Sequence, residues 1–176
     1  MSFCMINNPP KTVLVAQISK PQQMIWNLIL SSQGLSVYNY YKSSHLQLLL
    51  QKKSLINQLP DLCIVDVMYF IKQEQSPYEF CRWCNFNYPE VQVILTHETA
   101  AKVSQAERLW AIRQGAQDLL PGFPALHLRA EIILGLQRVL EVLDLLPIDQ
   151  IELGSVFAKI QKIMFNYHQL DRLNMG

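Results

Sequence analysis

Short uninterrupted runs of apolar residues recur along the chain, and between them apolar positions step by threes and fours. An unbroken run fits a strand buried on both faces, and the three-and-four step fits a helix with one apolar stripe. Residues 12–15 give the first strand; Lys20-Pro21 then opens a helix carrying Met24, Ile25, Leu28 and Ile29, which closes at Gly34. Residues 37–41 give a second strand, after which Ser43-Ser44 offers an N-cap for a helix with Leu46, Leu49, Leu50 and Ile56 that stops at Pro60. Residues 62–65 form a third strand that ends on Asp66. From Ser76 a helix with Phe80, Trp83 and Cys84 leads to Pro89, and residues 91–95 form a fourth strand ending on Thr96. Ser104 caps a helix through Ala106, Leu109, Trp110 and Ile112, and residues 117–120 form the last strand. Leu128, Ile132, Leu136, Val139, Leu140 and Leu143 mark a further helix with a wide apolar stripe. Strands alternating with helices in this way predict an α/β fold, a (βα)5 doubly wound parallel sheet, as one domain over residues 11–146.

Pro147 breaks the chain, and residues 147–176 form a helical extension. Its stripe of Val156, Ile160, Ile163 and Tyr167, with Phe157 and Met164 beside it, needs a cover. That cover is either the chain's own domain, or a second copy or a partner protein. Because the five-helix pattern looks complete without this helix, the expectation leans to an interaction role, with those six residues as the partner-binding set.

Composition narrows the function. Half of the chain is hydrophobic, enough for a core without disulfide or metal staples. A net charge of +1 gives no electrostatic case for nucleic acid, an acidic substrate or an anionic membrane. The apolar runs fall short of the roughly 20 residues that span a bilayer, and no secretory signal pattern opens the chain, so a cytoplasmic location is expected. Four cysteines, Cys4, Cys63, Cys81 and Cys84, read as reduced thiols. Cys81 and Cys84 form a C-x-x-C inside a predicted helix rather than at its start, where a redox pair would sit, and no paired histidines complete a zinc site. No metal site is expected. No nucleophile elbow, phosphate loop or dinucleotide fingerprint is present, so no enzymatic chemistry is expected either.

The stretch Pro60-Asp61-Leu62-Cys63-Ile64-Val65-Asp66-Val67-Met68 resembles the third strand of response-regulator receiver (CheY-like) domains, with Asp66 at the place of the phosphoacceptor. Tyr78-Glu79-Phe80-Cys81-Arg82, Val93-Ile94-Leu95-Thr96 and Gln114-Gly115-Ala116-Gln117-Asp118-Leu119-Leu120-Pro121 resemble later receiver segments, in order and on the matching elements, with Thr96 as the switch threonine. The resemblance implies a flavodoxin-like fold and two-component signalling in a bacterial pathway.

The departures bear on chemistry. In an active receiver an acidic pair after the first strand joins the phosphoacceptor in holding Mg²⁺, and a lysine after the fifth strand pairs with the phosphoryl oxygens. The resemblance places Ala16 and Gln17 at the acidic pair, Gly122 at the lysine, Phe123 at the usual cis-proline and Leu119 at the switch aromatic. Phosphoryl transfer runs on positioning and electrostatics, so these losses predict a degenerate pseudo-receiver that binds a signalling protein, with no cofactor. Two rivals stand beside it: a phosphoacceptor using Asp66 with an unusual Mg²⁺ arrangement, and a sensor binding a small molecule in the vestigial pocket.

Overall fold

β-branched and leucine-rich runs become the strands β1 (Thr12–Ala16), β2 (Ser36–Asn39), β3 (Leu62–Asp66), β4 (Gln92–His97) and β5 (Asp118–Pro121). The computed structural model describes residues 9–41, 45–98, 100, 102–124 and 126–174, and the side chains of the last helix as far as Tyr167. The strands form one sheet in the order β2-β1-β3-β4-β5, every pair parallel. β3 is buried at all five positions, as a central strand covered on both faces must be. The helices are α1 (Lys20–Ser32), α2 (Leu46–Leu55), α3 (Val67–Ile71), α4 (Pro77–Asn87), α5 (Gln105–Arg113), α6 (Leu128–Val142) and α7 (Gln150–Asn174).

Alternate strand residues point to opposite faces and so build two cores. Val13, Val15, Leu62, Ile64 and Ile94 face α1 and α6 through Trp26, Ile29, Ile132 and Leu136. Leu14, Cys63, Val65, Val93 and Leu95 face the other way, towards Leu50 of α2, Phe70 of α3, Phe80 of α4 and Ala111 of α5. Most helix starts behave as their sequences predict. Ser19, Ser76 and Ser104 are N-caps, and Ser104 forms a full capping box with Glu107. Ser43 and Ser44, expected to cap α2, lie outside the described residues, as does Cys4.

Three features differ from expectation. The run Val67–Ile71 forms the short helix α3, capped by Asp66, whose carboxylate accepts a hydrogen bond from the Met68 amide. A five-residue helix is too short to show a period, so the sequence carried no signal for it. Next, α5 buries only Ala111 and leaves Leu109, Trp110 and Ile112 at 48%, 52% and 41% exposure.

The third difference corrects the partner-binding assignment on α7. Ile160 and Met164 are buried in the chain's own core together with Leu153, and Val156 and Phe157 pack against that core. The cover is α1. Gln33, at the end of α1, fixes the start of α7 by accepting from the Asp149 amide at 2.7 Å and donating to the Asp149 carbonyl. Ile163 of α7 is half-buried beside α1, and Tyr167 is 38% exposed. The stripe read as a partner surface is thus a third layer folded over α1.

Candidate functional site

The register of β3 with β4 pairs Asp66 with Thr96, and that of β1 with β3 pairs Ala16 with Val65. Asp66, Thr96 and Gln17 therefore meet at the carboxyl end of the sheet, where open α/β sheets bind ligands. All four of Ala16, Gln17, Asp66 and Thr96 are buried. Gly122 follows β5 at the same end.

Thr96 and Gln17 are tied to each other. The Gln17 amide donates to Thr96 Oγ1 at 3.0 Å, and the Thr96 hydroxyl donates back to Gln17 Oε1 at 3.1 Å. A hydroxyl has one proton, and here it is spent inside the chain.

Asp66 Oδ1 accepts from the Met68 amide at 2.7 Å, Oδ2 is fully buried, and the Glu98 backbone amide also lies against this carboxyl and favours its charged form. What faces this carboxyl is Glu98, whose side chain can share a proton with it. Burial, and after it the Glu98 carboxyl, push the Asp66 carboxyl up from 3.8 to about 7, with the Met68 and Glu98 backbone amides working against both. The same Glu98 accepts from the Ser19 amide, through Oε2, at 2.9 Å. Glu98 is not among the candidate residues that the sequence singled out. The one available signal was an acidic residue two positions beyond the strand-ending threonine.

Gly122 explains how Glu98 reaches this position. A Cβ there would stand 2.4 Å from the Glu98 carbonyl oxygen and 2.8 Å from its Cα, so the glycine lets the two backbones touch. The Gly122 amide donates to the His97 carbonyl at 3.0 Å and fixes the contact. Phe123 packs on Trp26 with ring centroids 4.7 Å apart, and its amide and carbonyl are both held by the Gln22 side chain at 2.9 Å. Leu119 is buried in the core.

These residues do not fit Mg²⁺. Ala16 has no ligand atom, the Gln17 amide is committed to Thr96, and the Glu98 carboxyl is committed to Ser19 and Asp66. A small, reluctantly dehydrated cation wants several free oxygens in octahedral array. Among the described residues no three His, Cys, Asp or Glu side chains converge as a metal-binding group. Cys63, Cys81 and Cys84 are free and buried, and burial pushes the Cys63 and Cys81 thiols up to about 12, so they are poor nucleophiles and poor metal ligands. Among the described residues no helix is long and apolar enough to cross a membrane.

At the opposite, amino end of the sheet lies a further buried carboxylate. Asp118 opens β5 and is bound by Arg108 of α5 at 2.5 Å and by Arg138 of α6 at 2.7 Å, so it clamps the two helices across the strand.

No protein-family model matches the chain, and no curated protein matches it in sequence. Solved structures do match. A response regulator described as putative, from Chloroflexus aurantiacus, aligns over 77% of this chain and 99% of its own, at 17% identity and a TM-score of 0.56. A response regulator receiver protein from Burkholderia phymatum aligns over 78% and 98%, at 22% identity and a TM-score of 0.55. The BeF3-activated DrrB receiver domain aligns over 77% and 99%, at 19% identity and 0.51. At these identities the likeness speaks to the fold, and with the parallel order β2-β1-β3-β4-β5 it establishes that this chain has the flavodoxin-like fold of response-regulator receiver domains, extended by a C-terminal helix.

Proposed function

We propose that this chain is a two-component-type signalling protein whose domain works as a pseudo-receiver, a protein-protein interaction module that takes up no phosphate at Asp66. The observation that carries this reading is the reciprocal bonding of Gln17 and Thr96 beside Asp66. It spends the threonine hydroxyl and the amide where an active site keeps groups free for a metal and a phosphoryl oxygen. Ala16 and Gly122 support the same reading, since neither carries a charge to offset that of a transferring phosphoryl group. Signalling by this domain is then a matter of which protein recognises its surface, and the domain itself is not an enzyme.

Acetyl phosphate with Mg²⁺ tests the proposal. No mass increase is expected on the full chain. A stoichiometric gain of one phosphoryl group that disappears in Asp66→Ala would establish the phosphoacceptor reading instead.

A further inference from the structure

An active receiver changes state when an oxyanion arrives at its aspartate. In this chain an oxyanion group is already there. Glu98 stands two residues beyond Thr96; its Oε2 accepts from the Ser19 amide at 2.9 Å, and its carboxyl faces that of Asp66. Ser19 caps α1, a helix of 13 residues whose positive end favours a negative group. On the other side, the Glu98 backbone lies against Gly122 so closely that no side chain could stand there. The Gly122 and Ala100 amides both donate to the carbonyl of His97, the last residue of β4.

We propose that Glu98 is a built-in occupant of the phosphoryl position, a side-chain latch that bridges Asp66 and the first turn of α1 and holds the start of the β4–α5 connection in one state. The proposal rests on the pseudo-receiver reading and deepens it, by saying what occupies the disused site and what that occupancy does. Glu98 reaches the site as part of the same chain, so its effective concentration there exceeds that of any free anion. A phosphoryl donor would have to displace it from a position in which its backbone is also held. The glycine at 122 then has a positive role, because a lysine there would collide with the Glu98 backbone. The loss of the lysine and the seating of Glu98 are two sides of one rearrangement. The β4–α5 connection leads directly into α5, so a partner that reads this end of the domain meets a single conformation in place of a phosphorylation-dependent pair.

Amide hydrogen exchange on the full chain tests the latch at Ser19, Ala100 and Gly122. Removing a charge-assisted hydrogen bond by Glu98→Ala is expected to speed exchange at these amides by roughly tenfold or more, with Ile64 and Val93 in the central strands unchanged. Glu98→Asp keeps the charge and loses one methylene of reach, and is expected to loosen the same amides even if the alanine variant folds poorly. Glu98→Gln can still accept from Ser19 and can donate to Asp66, and is expected to stay near the parent rates. Unchanged exchange in Glu98→Asp, or equal loosening in Glu98→Gln, overturns the latch. Acetyl phosphate treatment of the parent chain separates the two levels: phosphate uptake refutes the pseudo-receiver reading, whereas the exchange rates judge Glu98.

Discussion

Helices α5 and α7 exchange the roles their sequences suggest. α7 lies beyond a complete five-helix pattern and carries a long apolar stripe, yet it turns Leu153, Ile160 and Met164 into the core over α1. α5 belongs to the regular alternation of strand and helix, yet it buries Ala111 alone and leaves Leu109, Trp110 and Ile112 half exposed. The difference teaches that an apolar stripe states the need for a cover but not its source. For α7 the source is the chain itself, and the helix is held by packing. For α5 the anchor is mainly a buried ion cluster and a cap, Arg108 on Asp118 and the Ser104–Glu107 box.

The sharpest way to break this comparison is to remove α7 by ending the chain at Pro147. Each fully buried Leu, Ile or Met contributes about 1.5–3 kcal/mol, so uncovering the α1 surface should lower the melting temperature steeply and cause light scattering on heating. The point variant Ile160→Ala isolates the packing and should cost about 2–5 kcal/mol in chemical denaturation. A truncated chain that melts like the parent and stays monomeric would show that α7 is an appendage after all.

The α5 side should respond to charge instead. Asp118→Ala leaves Arg108 and Arg138 facing each other with no carboxylate between them, and the cost should be about 3 kcal/mol. Both arginines keep partial access to water, which limits the loss to that order. Denaturant midpoints measure it, and a change under 1 kcal/mol would mean that α5 is held by something other than the clamp.

Much of this architecture was legible. The apolar runs gave the strands their order of appearance and placed Asp66 at the end of β3 and Thr96 one residue short of the end of β4, whereas β2 ends at Asn39, two residues before the predicted 41. The serine starts of α4 and α5 were visible from local sequence, whereas Ser19, the cap of α1, was not singled out. What could not be read was set by tertiary approach. Glu98 is an ordinary polar residue in sequence, and only the contact of its backbone with Gly122 brings its carboxyl back to Asp66. In α5 the buried residue is the small Ala111, flanked on both sides by larger apolar residues, so a scan for large hydrophobic groups points at the wrong face. The stripe on α7 was correctly seen, but spacing alone could not say whether α1 or another molecule covers it.

The Asp66–Glu98 pair gives a smaller effect with a definite sign. The folded chain holds the Asp66 proton up to about pH 7, whereas the unfolded chain releases it near the ordinary 3.8. Between these values the folded state binds more protons, so this group's contribution to stability is complete in acid, falls as pH rises through that window, and is gone above it. The slope cannot exceed about 1.4 kcal/mol per pH unit for one proton. Asp66→Asn should flatten it. Stability measured from pH 4.5 to 7.5 on the parent and this variant checks the claim, and equal slopes in both would remove the pair from the account.

The mildest prediction concerns the exposed face of α5. Trp110 is half exposed, and its described aromatic contact is an edge-on approach to Tyr78 with centroids 6.4 Å apart. Such a pair contributes about 0.5–1.5 kcal/mol, and partial exposure places Trp110→Ala at the lower end of that range. If α5 is anchored by the Asp118 clamp and its cap, removing the indole should therefore leave the denaturation midpoint almost where it was. The same substitution at a core position such as Trp26, which is buried on α1 against Phe123, should cost several times more, about 3–5 kcal/mol. A loss of more than about 2 kcal/mol in Trp110→Ala would mean that the apolar side of α5 carries the helix after all, and the contrast with α7 would collapse.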